Sequence, residues 1–407
     1  MTTKLLPGQP QSRQIPLYKQ VIALALFKLL VNTSRRFVYP FAPVLSRGLD
    51  VPLAAITTII AAGQFTSIIG FFCGPFADRL GYRAMMGYGL GCLFAGMLLC
   101  GFFPFYWLVF LGLLVTSLGK TVFDPAVQAF IGQNVPFQRR GRVIGLVEMS
   151  WAGSTLIGIP FLGLVIDQAG LIFSFYLLSL LALISWFSLK RIIPAEVKHD
   201  TGRRDRAELF SSLKQLARIR PAAGMLAFGF WISIANDSLF VIYGVWLEQN
   251  FHVTLLTLGF STIAIGAAEL CGESLTALFA DRLGGKRATV LGLVLVVISY
   301  ALLPLVGLTL PLALIGMFMV FVSFEFSMVC SFSLSTELMP GSRATMMAGF
   351  YATAGIGRMI GVLIGTFLWE MGGIAGVAWT ASGLSALGLL SLLWGLHGWN
   401  PCEENGG

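Results

Sequence analysis

Of 407 residues, 56% are hydrophobic and 11% are charged, whereas a soluble domain carries about 25% charged residues. So few charges cannot cover a water-exposed surface, which excludes a string of soluble domains and leaves an all-α polytopic membrane protein. The net charge of +8, from 27 Lys and Arg against 19 Asp and Glu, matters by where it falls along the chain and gives no signal for nucleic acid.

A helix needs about 20 apolar residues to cross the hydrocarbon core. Twelve runs meet this: 19–44, 53–77, 84–103, 105–130, 142–167 and 170–189, then 221–248, 255–279, 287–307, 310–336, 343–369 and 374–396. The first holds Lys28, Arg35 and Arg36 with no small-residue cleavage site, so it reads as a span and not as a signal peptide. Of the 27 cations, 21 fall in the tail and loops of one side, five lie within spans, and the opposite loops hold only Arg47. Cations stay on the cytoplasmic side, so both termini are expected in the cytoplasm. The organisation expected is a six-helix bundle over 1–189, a cytoplasmic linker over 190–220 and a second bundle over 221–407. Within the linker, Leu209, Leu213 and Leu216 are spaced as on a short helix lying along the membrane surface, or the segment is a solvated basic loop. Six cysteines without paired spacing and three histidines predict no disulfide framework, metal site or cofactor.

The chain repeats itself. Phe76-Ala77-Asp78-Arg79-Leu80-Gly81 recurs as Phe279-Ala280-Asp281-Arg282-Leu283-Gly284, at an offset of 203 that also carries Arg83 to Lys286, Arg140 to Arg343 and Gly158 to Gly361. Two parallel halves of this kind are a secondary-transporter pattern. The run from Gly74 to Arg83 resembles the loop 2–3 signature of the major facilitator superfamily, and its second copy falls in loop 8–9 as in that family. Tyr82 stands for the signature's first basic residue, and Ala277 for the glycine of the second copy. The resemblance implies two pseudo-symmetric six-helix bundles around a central cavity, working by alternating access. It implies a cytoplasmic latch built from Gly74, Asp78, Arg79, Gly81 and Arg83, with Asp281, Arg282 and Gly284 as its second copy and Asp124 as the partner of Arg83. In span 5, Gly153, Gly158, Pro160 and Gly163 resemble the glycine-proline signature of the twelve-helix drug:proton antiporter branch, with Ile159 between the Gly and Pro that the signature joins. Span 4 carries Val115 and Leu118 at two places where exporters often have Arg and Gln. Close helix packing by small residues accounts for the same glycines in either transport direction, and for Gly87-Tyr88-Gly89-Leu90-Gly91 and Gly355-Ile356-Gly357-Arg358, which lack the preceding strand of a nucleotide loop. Gly357, Gly361 and Gly365 form one packing stripe.

Charges inside a bilayer are expensive and usually functional. Arg35 and Arg36 fall near the middle of span 1, Lys120 of span 4, Asp237 of span 7, Glu269 of span 8, Glu325 of span 10 and Arg358 of span 11. The cations are placed to attract a polar or anionic group of a substrate, and Asp237, Glu269 or Glu325 to carry a coupling proton. Adjacent residues point about 100° apart on a helix, so Arg36 is favoured over Arg35 for the cavity. The alternative is that these charges pair and hold the halves together. Lys120 and Asp124 are spaced to neutralise each other, Glu269 and Glu273 share a face, Glu148 reads as gate structure, and Lys28 is expected to reach toward the cytoplasm. The aromatics Trp151, Trp231, Trp246, Phe321 and Phe324 line a pocket, or they face lipid or fill the bundle, as such residues more often do.

The function expected is proton-coupled efflux of a small amphipathic, polar or anionic compound by a monomer in the inner or plasma membrane. The alternatives are a metabolite importer or uniporter, a lipid transporter, or a non-transporting receptor. No H-E-x-x-H or G-x-S-x-G sequence points to an enzyme.

Overall fold

A computed structural model describes residues 15–70, 80–135, 143, 146–194, 218–338 and 343–399. Gly74, Asp78, Arg79, the basic residues of 136–142, and the linker leucines lie outside these residues. Among the described residues, nine helices are long and apolar enough to cross a bilayer on composition alone. Twelve spans result once three features are added. Span 1 (Leu17–Arg36) carries four cations and is too polar to qualify unaided. Span 2 begins at Leu53–Gly70. The helix Arg343–Gly395 is two spans divided at Gly373, where φ is 55° and ψ −150°.

After span 1 a short helix, Ala42–Gly48, turns by 119° into span 2 on the outer side. Spans 3 to 6 are Tyr82–Phe102, Tyr106–Asn134, Leu146–Ala169 and Leu171–Ile192. Spans 7 to 10 are Arg220–Phe251, Leu255–Leu283, Gly285–Val306 and Leu310–Leu338, and spans 11 and 12 occupy 343–372 and 374–395.

The duplication is visible in the backbone. Spans 1 and 7 begin at 17 and 220, and spans 3 and 9 at 82 and 285, each pair 203 apart. The tight turns repeat as well: Gly81 and Gly284 have φ of 85° and 78°, and Gly170 and Gly373 have φ of 86° and 55°. Side chains rarely adopt these angles, so glycine is what lets the chain re-enter the membrane there. Packing follows the same symmetry. Spans 3 and 4 pack as 9 and 10 do, and spans 2 and 4 as 8 and 10 do. The two lobes meet along spans 2 and 11 and along spans 5 and 8.

Small residues bring the helices together. A Cβ on Gly357, Gly361 or Gly365 would lie 2.4, 2.5 and 2.6 Å from the carbonyl oxygens of Phe230, Ile234 and Ser238, so span 11 rests directly on the backbone of span 7. Gly89 and Gly119 do the same for spans 3 and 4. With lipid as the solvent, such close packing replaces the hydrophobic effect as the force between helices. Bulky apolar side chains such as Ile157, Phe161, Leu180 and Ile184 are exposed on the outside, where the acyl chains lie.

Candidate functional site

The site is organised by an irregularity in span 5. Residues Ser154–Gly158 form a π-helical turn, a feature frequent at functional positions, and Pro160 follows it. Proline has no N–H to donate, and five residues back is Thr155. Its carbonyl instead accepts a 2.8 Å hydrogen bond from the Thr262 hydroxyl of span 8, in the other lobe. The Trp151 carbonyl accepts from Arg36 Nη1 at 3.0 Å. Gly158 makes room for span 1, since a Cβ there would stand 2.0 Å from Thr33 Oγ1. Gly163 faces Gly259 across the lobes, its Cβ position 3.2 Å from that Cα. The glycine-proline motif thus shapes both the bulge and the seam between lobes.

At the centre of that seam Arg36 meets Glu269. Arg36 Nη2 lies 2.6 Å from Oε1 and Nη1 3.3 Å from Oε2, and both side chains are at most 5% exposed. Trp151 Nε1 donates to the same carboxylate at 3.1 Å and Thr155 Oγ1 at 2.8 Å. The guanidinium lies over the Trp151 ring at 4.0 Å. One buried, two-pronged ion pair therefore ties span 1 to span 8, with span 5 serving both partners.

A looser chain crosses the lobes beside it. Arg35 donates to Gln64 Oε1 at 2.7 Å, Gln64 Nε2 donates to the Tyr39 hydroxyl, and Tyr39 donates to Asp237 Oδ1 at 3.4 Å. On the far side, Arg358 Nε stands 3.9 Å from Asp237 Oδ2. The adjacent arginines thus diverge as helix geometry requires: Arg36 reaches spans 5 and 8, and Arg35 turns to span 2. Phe240 fills the space between the two chains, 4.5 Å from the Tyr39 ring, 5.7 Å from Phe321 and 5.5 Å from the Arg36 guanidinium.

The other buried cations of the N-terminal lobe, Lys28 and Lys120, pair within it. Lys120 bonds Asp124 Oδ2 and Asn32 Oδ1, both at 2.5 Å. Lys28 does not reach the cytoplasm: it is buried and bonds Glu148 at 2.5 Å, an acid that Gln128 Nε2 also holds at 2.5 Å. Asp124 is drawn to Lys120 one turn away and not to Arg83, which donates to the carbonyl of Lys190 at the end of span 6. The Asp124–Arg83 latch is therefore not formed. Arg282 is exposed, and Gly81 and Gly284 sit at their turns. Of Asp281 only the place in span 8 is described. Glu325 makes no hydrogen bond or ion pair with any described residue and packs its Cβ against Gly272 of span 8. Sequence reading passed over Tyr39, Gln64, Asn32, Thr155 and Thr262, although Lys28, Asn32, Arg35 and Tyr39 recur every three or four residues along span 1 and mark one polar stripe.

Every hydrogen bond or ion pair between lobes among the described residues lies from mid-membrane outward, ending in Arg47–Glu248 at 2.5 Å. The outer side is closed. Two duplicated six-helix lobes that meet through buried charges at mid-depth are the architecture of a secondary transporter. The chain belongs to the Major Facilitator Superfamily, whose family model matches residues 24–354 and again 226–401. It is 21% identical to the MFS-type transporter YceJ of Bacillus subtilis, over 84% of this chain and 87% of that one. It is 35% identical to the multidrug resistance protein MdtH of Shigella flexneri, but over 26% of this chain and 27% of that protein. Its fold resembles that of the peptide transporter POT in complex with sulfate, with a TM-score of 0.76 at 14% identity over 95% of this chain and 96% of that one.

Proposed function

We propose that this transporter, acting as a single chain in the inner or plasma membrane, exports a small amphipathic compound from the cytoplasm in exchange for protons. The observation that carries the reading is the Arg36–Glu269 pair. Rocking the lobes apart on the outer side separates these groups, and separating them while both are charged leaves two desolvated ions, a state several kcal/mol unfavourable. A proton on Glu269 removes the attraction beforehand. The outward-facing state therefore takes up the proton, and closure on the outer side expels it from Glu269. Efflux rather than uptake is supported by the span 5 motif and by the partial likeness to MdtH, a multidrug resistance protein.

The test is transport of a panel of amphipathic dyes into or out of proteoliposomes under an imposed pH gradient. Movement against a concentration gradient that follows the sign of the pH gradient supports exchange. Dye fluxes indifferent to that gradient overturn it. Arg358 favours a second reading. Its guanidinium makes no hydrogen bond with a described residue and is 32% exposed, so it suits a carboxylate or phosphate, as in proton-linked uptake of an organic anion. Accumulation of an organic acid on the alkaline side would decide for it.

A further inference from the structure

Both lobes end on the cytoplasmic side in the same arrangement. In the N-terminal lobe Arg83, at the start of span 3, donates from Nη2 to the carbonyl of Lys190 in the last turn of span 6. Lys286, 203 residues after Arg83 and at the start of span 9, donates from Nζ to the carbonyl of Leu396, just past span 12, at 2.9 Å. Arg220, which opens span 7, donates from Nε to the Trp394 carbonyl at 2.9 Å. The last carbonyls of a helix have no partner within it, so these cations hold orphan acceptors, and the basic grip on the final turn recurs in both lobes.

A tryptophan completes each cluster. Lys190 Nζ lies 3.4 Å from the centre of the Trp186 ring, and Arg220 Cζ 5.4 Å from that of Trp394, both within cation–π range. Trp186 is seated on span 3 at Gly87, where a Cβ would stand 3.5 Å from the indole Nε1. Long cations near a helix end usually extend toward water. Lys190 instead folds back one turn onto Trp186, which keeps its ammonium at the depth of the interfacial indole. Lys190 and Arg191 are exposed, as are Arg220 and Arg287 at the other cluster. The membrane faces beneath are apolar: Leu180, Ile184 and Phe187 of span 6, and Leu387, Leu390 and Leu393 of span 12, are all exposed.

A helix C-terminus presents roughly half a negative charge. Arg83, Lys190 and Arg191 outweigh it at span 6, and Arg220, Lys286 and Arg287 at span 12. None of the six forms an ion pair with a described residue. A ligand that fits is anionic at the headgroup level and apolar below it. We propose that each joint, span 3 with span 6 and span 9 with span 12, seats the phosphate of one anionic phospholipid of the cytoplasmic leaflet. The guanidinium and ammonium groups donate to the phosphate oxygens, and the acyl chains run along the exposed face of span 6 or span 12. A lipid fits better than a soluble anion because the apolar faces continue directly from the cations. The lobes meet along other spans, 2 with 11 and 5 with 8, so an occupied seat moves with its lobe and does not bridge the seam.

The experiment needs no substrate. Native mass spectrometry of the purified full chain, with phosphatidylglycerol or phosphatidylcholine added, counts the lipids retained. The expected result is two phosphatidylglycerol molecules held more tightly than any phosphatidylcholine. Each Lys or Arg near a membrane surface changes affinity for anionic lipid about fivefold. Lys190→Gln with Arg191→Gln should therefore weaken one of the two by about 25-fold and leave the other in place. Arg220→Gln with Arg287→Gln should do the same at the other seat. The control, Lys19→Gln with Arg282→Gln, removes two exposed cations outside the seats and should leave both lipids bound. Equal weakening by the control means a diffuse attraction and overturns the seats. Phosphatidylcholine held as tightly as phosphatidylglycerol overturns them too, as does displacement of the lipid by millimolar inorganic phosphate. Trp186→Leu keeps every charge and removes the ring under Lys190, so it should weaken the first seat about two- to fivefold. Retention as tight as wild type in that variant, with its fold checked by a thermal melt, refutes the role of the indole and with it the seat.

Discussion

Glu269→Gln should unlock the outer side of the transporter. Glu269 accepts from Arg36 at 2.6 and 3.3 Å, from Trp151 at 3.1 Å and from Thr155 at 2.8 Å. A glutamine presents one acceptor where the carboxylate presents two, and it turns an amide N–H₂ toward groups that themselves donate. Arg36, 3% exposed, is left without a counter-charge. Removing one partner of a buried pair costs about 3–5 kcal/mol, which is roughly 10²–10⁴ in the ratio of closed to open outer seam. Thr262→Cys, in a background with the native cysteines replaced, reports that ratio: residue 262 is 0% exposed at the seam and reacts with a membrane-impermeant maleimide only when the lobes part. Labelling should be slow with Glu269 and faster by that factor with Gln. The sign with pH follows from linkage. If Glu269 carries the exchanged proton, as proposed, lowering the pH must raise labelling of the parent, while Glu269→Gln responds less. Replacing both partners, Arg36→Met with Glu269→Leu, should restore slow labelling without the pH response, because apolar residues of similar volume often replace a buried pair at no loss. Equal labelling of the parent and Glu269→Gln at all pH values would refute the lock.

Trp151→Phe deletes one donor to the Glu269 carboxylate, a bond to a charged group worth about 1.5–3 kcal/mol, and should raise Thr262→Cys labelling by less than Glu269→Gln does. Arg47→Ala should change it little, less than about fivefold, since Arg47 is 61% exposed and surface pairs contribute about 0–1 kcal/mol. Added salt should erase even that difference. Gly158→Ala places a methyl 2.0 Å from Thr33 Oγ1. Overpacking of this kind costs about 1–3 kcal/mol, read as a lower melting temperature in detergent, and Thr33→Gly in the same chain should recover part of it.

The spans were legible because lipid imposes a length of apolar chain that nothing else in a sequence imitates. The duplication was legible from six residues around Asp78, and the backbone extends it to the starts of spans 1 and 3 and to the turn glycines. The charged layer was readable as a set, because its members stand out from the apolar runs around them. Its pairing was not. Arg36 and Glu269 are 233 residues apart, and no local pattern joins spans 1 and 8. Asp124 shows the reverse difficulty. Its neighbour Lys120 was identified as a partner by helical spacing, and the family pattern that joins it to Arg83 gave way to the nearer cation. Gln64 and Asn32 were passed over because uncharged amides stand out less from apolar runs than charges do.

The repeat also shows which features the two lobes share and which set them apart. Gly158 and Gly361, 203 residues apart, do equivalent work: one admits Thr33 of span 1 against span 5, the other Ile234 of span 7 against span 11. Close packing is common to both halves because both must be helical lobes of the same shape. The charges do not share this symmetry. At the same offset Arg36 corresponds to Leu239, Glu269 to Thr66, Lys120 to Ser323, Glu325 to Val122, Asp237 to Ser34 and Arg358 to Thr155. Of the two pseudo-equivalent seams, among the described residues only the one joining spans 1 and 5 to span 8 carries the tight ion pair. A symmetric molecule would hold its two seams with equal strength and have no preferred site for the proton. Placing the tight pair on one seam makes the free energy of opening depend chiefly on Arg36 and Glu269, which gives the proposed proton coupling one site on a scaffold that is otherwise twofold.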